Sequence, residues 1–426
     1  MSQTATHTIR EGAFGNGTHL SCRACGAKSP LGPFYACMEC FGPLEVGYEY
    51  PTITREQIEA GPKNIWRYQP LLPVPVDVAS FPNTEPGYTR LVDAQNLARE
   101  LGLRKLWVKD DSGNPTHSFK DRVVASALSA TRELGMKVFA CPSTGNLANA
   151  VAAHAAHAGL RSFVFVPANL EQGKIVTTAV YGGNVVAIDG NYDDVNRLCA
   201  ELAGTYPWAF VNVNIRTFYA EGSKTLAFET AEQLGWQAPD HVVVPAASGS
   251  LLTKIQKGFQ ELHRVGLLDE EPNVRVSGAQ ALGCSPIATA FIDDSDTIRP
   301  VKPDTIAKSL AIGNPADGYF ALDAVRKSGG GFAAVTDGEI VEGMELLART
   351  EGIFAETAGG VTVAATRKLI EAGRIPRDEP IVMCVTGNGL KTPDALHDRL
   401  HSDVTIQPSL AAFDRALADL KSKTGT

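Results

Sequence analysis

The sequence predicts an α/β chain, a mostly parallel sheet with helices on both faces, preceded by a short segment of clustered cysteines. Two observations predict it. From residue 105 onward, short apolar runs alternate with stretches of helical spacing, the pattern of βαβ units. Near the N-terminus, Cys22-Arg23-Ala24-Cys25 and Cys37-Met38-Glu39-Cys40 are two CxxC pairs, each followed within two residues by glycine.

The cysteine pairs have the build of a zinc-ribbon-like site with four thiolate ligands. Each tight turn carries two thiolates, and the glycine lets backbone amides approach the sulfurs. Cys22, Cys25, Cys37 and Cys40 are therefore candidate ligands for a structural zinc. Four thiolates leave no open position for catalysis. The competing reading, a disulfide or redox pair, suits a reducing compartment poorly. Cys141, Cys199, Cys284 and Cys384 are scattered singly and read as buried free thiols.

Residues 45–64 are polar with scattered prolines and read as a linker, and 65–75 as irregular backbone packed on the main body through Trp66, Tyr68, Leu71 and Leu72. Lys105–Lys109 is the first clear strand. Ser112-Gly113-Asn114-Pro115 then turns towards a helix whose apolar positions include Val123, Val124, Ala127 and Leu128. Strands follow at Lys137–Ala140, Arg161–Pro167, Asn184–Ile188 and Ala209–Val213, with helices at Leu147–Ala158, Gly173–Tyr181, Tyr192–Ala203 and Gly222–Leu234. The second half repeats this grammar. Its strands are His241–Val244, Val274–Ala279 and Pro380–Val385, and its helices Leu251–Val265, Asp337–Arg349 and Glu356–Ala372, with a short amphipathic helix at Ser409–Leu420.

At 426 residues the chain exceeds one small core, and roughly 150 residues per domain suggests two or three domains. It is 44% hydrophobic and 20% charged, ordinary for a globular protein. A net charge of −8 with interspersed signs argues against a nucleic-acid partner. No apolar run approaches the ~18 residues of a membrane span. Residues 1–17 lack the apolar centre of a secretory signal, so the cytoplasm is the expected compartment.

Lys120 falls in the first turn of its helix, where the helix dipole disfavours a cation and favours the free amine that a Schiff-base lysine needs. The bland alternative is a solvated lysine at a helix start. Four strand ends carry small polar residues and glycine: 113–120, Ser143–Asn146, Ala246–Ser250 and Thr386–Gly389. In open α/β sheets ligands bind at such ends, against helix N-termini suited to anions. The loop after His241–Val244 is the best phosphate cradle. It lacks the Gly-Lys-Ser/Thr of a nucleoside-triphosphate loop, which rules out that chemistry, and it lacks G-x-G-x-x-G, so a dinucleotide fingerprint is absent. A lysine with a phosphate cradle suggests pyridoxal phosphate.

Asn114-Pro115-Thr116-His117-Ser118-Phe119-Lys120-Asp121, Pro142-Ser143-Thr144-Gly145-Asn146 and Val385-Thr386-Gly387-Asn388-Gly389-Leu390-Lys391 together resemble the threonine synthases. These are fold-type-II pyridoxal-phosphate enzymes of the tryptophan synthase β superfamily, and the resemblance covers nearly the whole chain. It implies two doubly wound parallel-sheet domains: a large cofactor domain from 61–120 and 226–408, and a small domain from 121–225. Residues 1–60 would form the four-cysteine segment and 409–426 a terminal helix and tail. It implies that Lys120 carries the cofactor, that Asn146 bonds its 3′ oxygen, and that Ala247, Ser248, Gly249, Ser250 and Leu251 hold its phosphate. Thr386 would face the pyridine nitrogen, and Ser143 and Thr144 the substrate carboxylate. Asn388 departs from the family's more usual histidine or aspartate, and the phosphate loop holds fewer glycines than is usual.

The implied reaction turns O-phospho-L-homoserine and water into L-threonine and phosphate, by γ-elimination and addition of water at Cβ, with Lys120 as base. A homodimer is usual for the superfamily. The nearest alternatives are sister enzymes on the same scaffold, cysteate synthase or a serine or threonine dehydratase. A catalytically silent binding paralogue is the alternative of another class.

Overall fold

A computed structural model describes residues 9–424 apart from positions 83, 144, 169, 171, 191 and 398. At the N-terminus, β1 (Gly17–Cys22) pairs antiparallel with β2 (Lys28–Ser29) and β3 (Leu44–Tyr48). Leu20, Cys22, Leu44 and Val46 are buried and share one core with Val124, Leu128 and Phe218. The expected linker over 45–64 is instead β3 followed by α1 (Arg55–Glu59), which starts with a capping box between Thr54 and Gln57. Charge explains the difference. Lys254 donates to Glu45 at 2.5 Å, and the Tyr48 and Tyr50 hydroxyls donate to Glu221 and Glu261 at 2.6 Å, so polar residues that look like linker are fastened to the body.

The next elements are β4 (Arg90–Asp93), α2 (Gln95–Leu101), β5 (Lys105–Asp110) and α3 (Lys120–Glu133). Then come β6 (Val138–Pro142), α4 (Asn146–His157), β7 (Arg161–Pro167), α5 (Gln172–Ala179), β8 (Asn184–Ile188), α6 (Tyr192–Thr205), β9 (Ala209–Phe210), α7 (Arg216–Glu221) and α8 (Lys224–Gln233). The remainder is β10 (His241–Pro245), α9 (Ser250–Arg264), β11 (Arg275–Ala281), α10 (Pro286–Ile292), α11 (Gly318–Ser328), β12 (Phe332–Val335), α12 (Asp337–Glu351), α13 (Thr357–Glu371), β13 (Pro380–Val385) and α14 (Leu410–Thr424).

Two sheets result. A six-stranded sheet has the order β12-β11-β10-β13-β5-β4, with β4 antiparallel to β5 and the other neighbours parallel. A four-stranded parallel sheet has the order β8-β7-β6-β9. The central strands are continuous apolar runs buried on both faces, as parallel strands between helix layers must be. Among the described residues no helix is long and apolar enough to cross a membrane.

Two elements are shorter than their sequence pattern predicts. The strand Ala209–Val213 stops at Phe210 because Asn214 folds back, accepting from the Phe210 amide and donating to the Trp208 carbonyl, both at 2.9 Å. The helix Gly222–Leu234 starts only at Lys224, and α7 precedes it. A Cβ on Gly222 would stand 2.6 Å from the Arg122 carbonyl, so the chain turns where it crosses α3. The elements α10, α11 and β12 carry little pattern; β12 is only Phe-Ala-Ala-Val.

A fully buried charge network joins β5, α3 and α8. Arg122 donates from Nε to Asp111 at 2.7 Å and from Nη1 to Glu229 at 2.5 Å. Lys109 donates to Glu229 at 2.8 Å and to the Thr89 carbonyl at 2.8 Å. Burial alone would raise the Glu229 carboxyl, but Arg122 and Lys109 outweigh it and hold it at about 2. Glu45 is also held at about 2, burial being outweighed by Lys254 and Lys257.

Both folded-state values lie below the ~4.3 of an unfolded glutamate. Their stabilisation is therefore complete above that value and is lost as pH falls towards 2. Thermal melts should show the melting temperature dropping through this window. Arg122→Met, which removes the cation shared by Asp111 and Glu229 and leaves Lys109 as the only cation on Glu229, should cost about 3–5 kcal/mol in urea titration. A variant as stable as the parent would show that the network does not bear on stability.

Candidate active site

The turn between β5 and α3 is held by its own side chains. The Asp121 carboxylate accepts from the Thr116 amide and hydroxyl at 2.8 and 2.9 Å, and His154 Nε2 lies 3.0 Å from it. His117 adopts a left-handed φ of 62°. The turn is zipped by main chain to the one after β13. The Phe119 amide donates to the Thr386 carbonyl at 2.9 Å, the Asn388 amide to the His117 carbonyl at 3.1 Å, and Ser118 bridges Gly387. Lys120 is the first residue of α3, as expected, and is half-buried. Its Nζ lies 5.5 and 5.8 Å from the ring centres of Phe119 and Tyr219.

Glu356 faces this lysine from the start of α13. It is buried, its amide donates to the Gly387 carbonyl at 3.0 Å, and its carboxylate accepts from Asn146 Nδ2 at 2.9 Å. Lys391 closes the group by donating to Asn146 Oδ1 at 2.9 Å. Burial pushes the Glu356 carboxyl up, against the Asn146 hydrogen bond and the charges of Lys391 and Lys120. Burial likewise pushes the Lys391 ammonium down, against Glu356 and Asp121. Ser118 Oγ and Thr357 Oγ1 are buried beside this cluster with no hydrogen-bond partner.

So Asn146 hydrogen-bonds Glu356, the Gly387 carbonyl beside Thr386 accepts from the Glu356 amide, and Lys120 is close enough for its charge to act on the Glu356 carboxylate. Sequence reasoning did not single out Glu356 or Lys391. Lys391 ends the Thr386–Lys391 run, which was the available signal; Glu356 looks like any acidic residue at a helix start.

The remaining predicted residues lie at neighbouring junctions. Strand β10 runs level with β13, Val243 beside Met383, so its loop emerges next to Thr386. There Ala247, Ser248, Ser250 and Leu251 are half-buried, and Gly249 takes φ 90° at the start of α9. Gly249 offers no side-chain cap, and the Ser250 amide has only a long 3.5 Å contact to the Ser248 hydroxyl, so the start of α9 can still turn amides to an anion. The Ser143 hydroxyl accepts from the Ala148 amide at 3.2 Å and so fastens the start of α4. Thr144 lies outside the described residues.

Away from this cleft, the sulfurs of Cys22, Cys25, Cys37 and Cys40 lie within 4.8 Å of one another. Cys22 and Cys40 are 3.5 Å apart and Cys25 and Cys37 3.7 Å. Sulfurs about 2.3 Å from a tetrahedral zinc stand about 3.8 Å from each other, so the spacing fits one ion. The Ala24 and Glu39 amides donate to Cys22 and Cys37 at 3.4 Å, the backbone approach that the glycines permit. The other four cysteines are buried free thiols.

Residues 83–387 match a family model described as pyridoxal-phosphate dependent enzyme. A threonine synthase of Methanocaldococcus jannaschii is 39% identical over 405 residues, spanning 94% of this chain and 99% of the relative. One of Methanosarcina acetivorans is 37% identical over 404 residues, spanning 94% and 98%. Among solved structures, a fungal L-serine ammonia-lyase from Rhizomucor miehei superimposes with a TM-score of 0.62 at 20% identity, over 74% of this chain and 97% of that one; the likeness is one of fold.

A Cβ on Gly387 would stand 2.4 Å from Glu356 Oε1. Gly387→Ala should therefore push Glu356 off Asn146 and destabilise the chain by about 1–3 kcal/mol, read by thermal or urea unfolding. An unchanged midpoint would mean that Glu356 is free to move.

Proposed function

We propose the activity from one premise: the chain belongs to the pyridoxal-phosphate-dependent enzymes and, within them, to the threonine synthases. It converts O-phospho-L-homoserine and water to L-threonine and phosphate. The observation that carries this reading is Lys120 at the first turn of α3, tied through Phe119 to Thr386, with its charge felt by the Glu356 carboxylate that Asn146 hydrogen-bonds.

The residues fit the cofactor. An amine stands at a helix start, the N-cap glycine of α9 makes no side-chain cap, and two buried hydroxyls lack partners. In our reading Lys120 Nζ holds the cofactor covalently, and the amides of Ala247–Leu251 hold its phosphate. Asn146 bonds its 3′ oxygen, and the Thr386 hydroxyl meets its ring nitrogen as a neutral partner. When bound, the cofactor supplies the electron sink that lets substrate C–H bonds ionise.

The chain's own groups do the rest. The substrate amine displaces Lys120, whose Nζ is then the base in reach of the substrate carbons. It moves protons from Cα and Cβ while phosphate leaves Cγ. The hydroxyl of water adds at Cβ, one proton returned to Cγ completes the methyl group, and a second returned to Cα restores the α-hydrogen of L-threonine. The start of α4, fastened by Ser143, would hold the substrate carboxylate with Thr144. Lys391 and Asn146 keep Glu356 oriented towards Lys120 throughout.

The same reading takes the six-stranded sheet as the large domain, 61–120 with 226–408, and the four-stranded sheet as the small one, 121–225, with the site between them. It places the enzyme in the cytoplasm as a homodimer acting on a small molecule, without nucleic acid. It assigns a structural zinc to Cys22, Cys25, Cys37 and Cys40 within the segment 1–60, and leaves 409–426 as the terminal helix and tail.

Phosphate release should be rapid with O-phospho-L-homoserine and negligible with O-phospho-L-serine; the reverse preference would move the chain to a sister activity. Borohydride reduction of the holoenzyme should label Lys120, and Lys120→Ala should lose turnover; a label on another lysine defeats the assignment. Metal analysis of freshly purified, unchelated protein should find one zinc per chain, and metal-free protein would leave only the fold of the site.

A further inference from the structure

One buried carboxylate touches both the cysteine segment and the loop before α9. Asp317 occupies the N-cap position of α11 and is 5% exposed, yet its side chain makes no cap. It faces two arginines instead. Arg216, the first residue of α7, donates to its Oδ2, and Arg23 Nη1 lies 3.8 Å from its Oδ1. Arg23 sits between Cys22 and Cys25, with its amide donating to the Pro43 carbonyl at 2.9 Å and its guanidinium 3.9 Å from the centre of the Phe320 ring.

The main chain of Asp317 belongs to the other side of this contact. Its amide donates to the Ser248 carbonyl at 2.9 Å. Its carbonyl oxygen lies 2.9 Å from where a Cβ on Gly249 would stand, so the loop lies flush against it. A cavity of about 20 Å³, lined by Arg23, Arg216, Ser250, Lys254 and Asp317, separates the Cys22–Cys25 turn from α9. That is room for about one water. Arg23 thus reaches the loop through Asp317.

Arg216 hydrogen-bonds one Asp317 oxygen, while the Arg23 guanidinium, 3.8 Å from the other oxygen and stacked on the Phe320 ring, holds the carboxylate by charge alone; between the two cations its position is fixed. Without Arg23, Asp317 is drawn to Arg216 alone, or turns to cap α11. Either motion drags the backbone that meets Ser248 and Gly249. The Cys22–Cys25 turn holds Arg23 at one end of this chain of contacts, and the loop amides are at the other.

We infer that Arg23 and Asp317 are positioning residues for the cofactor phosphate, so that the cysteine turn sets the geometry of the phosphate loop. This rests on reading Ala247–Leu251 as the loop that holds that phosphate. It gives the cysteine segment, read above only as a structural zinc site, a part in holding the cofactor.

The test compares pyridoxal 5′-phosphate with pyridoxal, which lacks the phosphate, by equilibrium titration of the full chain freed of cofactor. The parent should prefer the phosphorylated form. Arg23→Gln and Asp317→Asn should each raise the dissociation constant for pyridoxal phosphate about tenfold and leave that for pyridoxal within about twofold. Arg23→Lys, which keeps the charge, should recover part of the loss. Equal weakening of both ligands, or unchanged affinity in correctly folded Asp317→Asn, overturns the inference. A parent that does not discriminate the two ligands overturns the phosphate-loop reading itself, and the inference falls with it.

Discussion

Everything at the cleft depends on the burial of Arg122 between Asp111 and Glu229. Arg122 lies two residues beyond Lys120, Asp111 follows β5 directly, and Glu229 belongs to α8. Desolvating these charges costs more than an isolated pair would return, so the network is poor evidence of stability in itself. Its effect is register. With two cations and two anions at 0% exposure, α3 has one place to start, and the lysine amine inherits that position. The zipper between the Lys120 and Thr386 turns then needs only main-chain atoms, because both strand ends are already level: Val385 pairs with Asp110.

Much of this was legible in the sequence, because parallel strands buried on both faces must be apolar runs that end in turn chemistry. The strands Asn184–Ile188 and Pro380–Val385 have the predicted bounds, and helix α4 differs by one residue at each end. What was not legible depends on partners remote in sequence. Glu45, Tyr48 and Tyr50 read as linker until Lys254, Glu221 and Glu261 are brought against them. Glu356 needs Asn146, which lies 210 positions away. A pattern within ten or twenty residues cannot announce such a contact. Lys120 could be found because its surroundings, turn, strand end and helix start, are local.

The cleft also shows how burial sets the character of ionisable groups. Glu229 and Glu356 are both buried carboxylates, yet they shift in opposite directions. Glu229 contacts Arg122 and Lys109 directly and is held ionised. Glu356 receives a neutral amide from Asn146, with the cations at one remove, and desolvation prevails. The difference separates a carboxylate held ionised by direct cations from one that burial pushes up.

The attachment of the N-terminal strands has a consequence during synthesis. The β1–β3 segment leaves the ribosome first, but the groups that neutralise Glu45 and receive Tyr48 and Tyr50 lie at Glu221, Lys254 and Glu261. At about 5–20 residues per second those partners arrive roughly 10–40 seconds later. Through that interval the cysteine turns stand without the body they finally pack on. Nascent chains would therefore meet metal ions, oxidants and chaperones at these thiols before any of the parallel sheet exists.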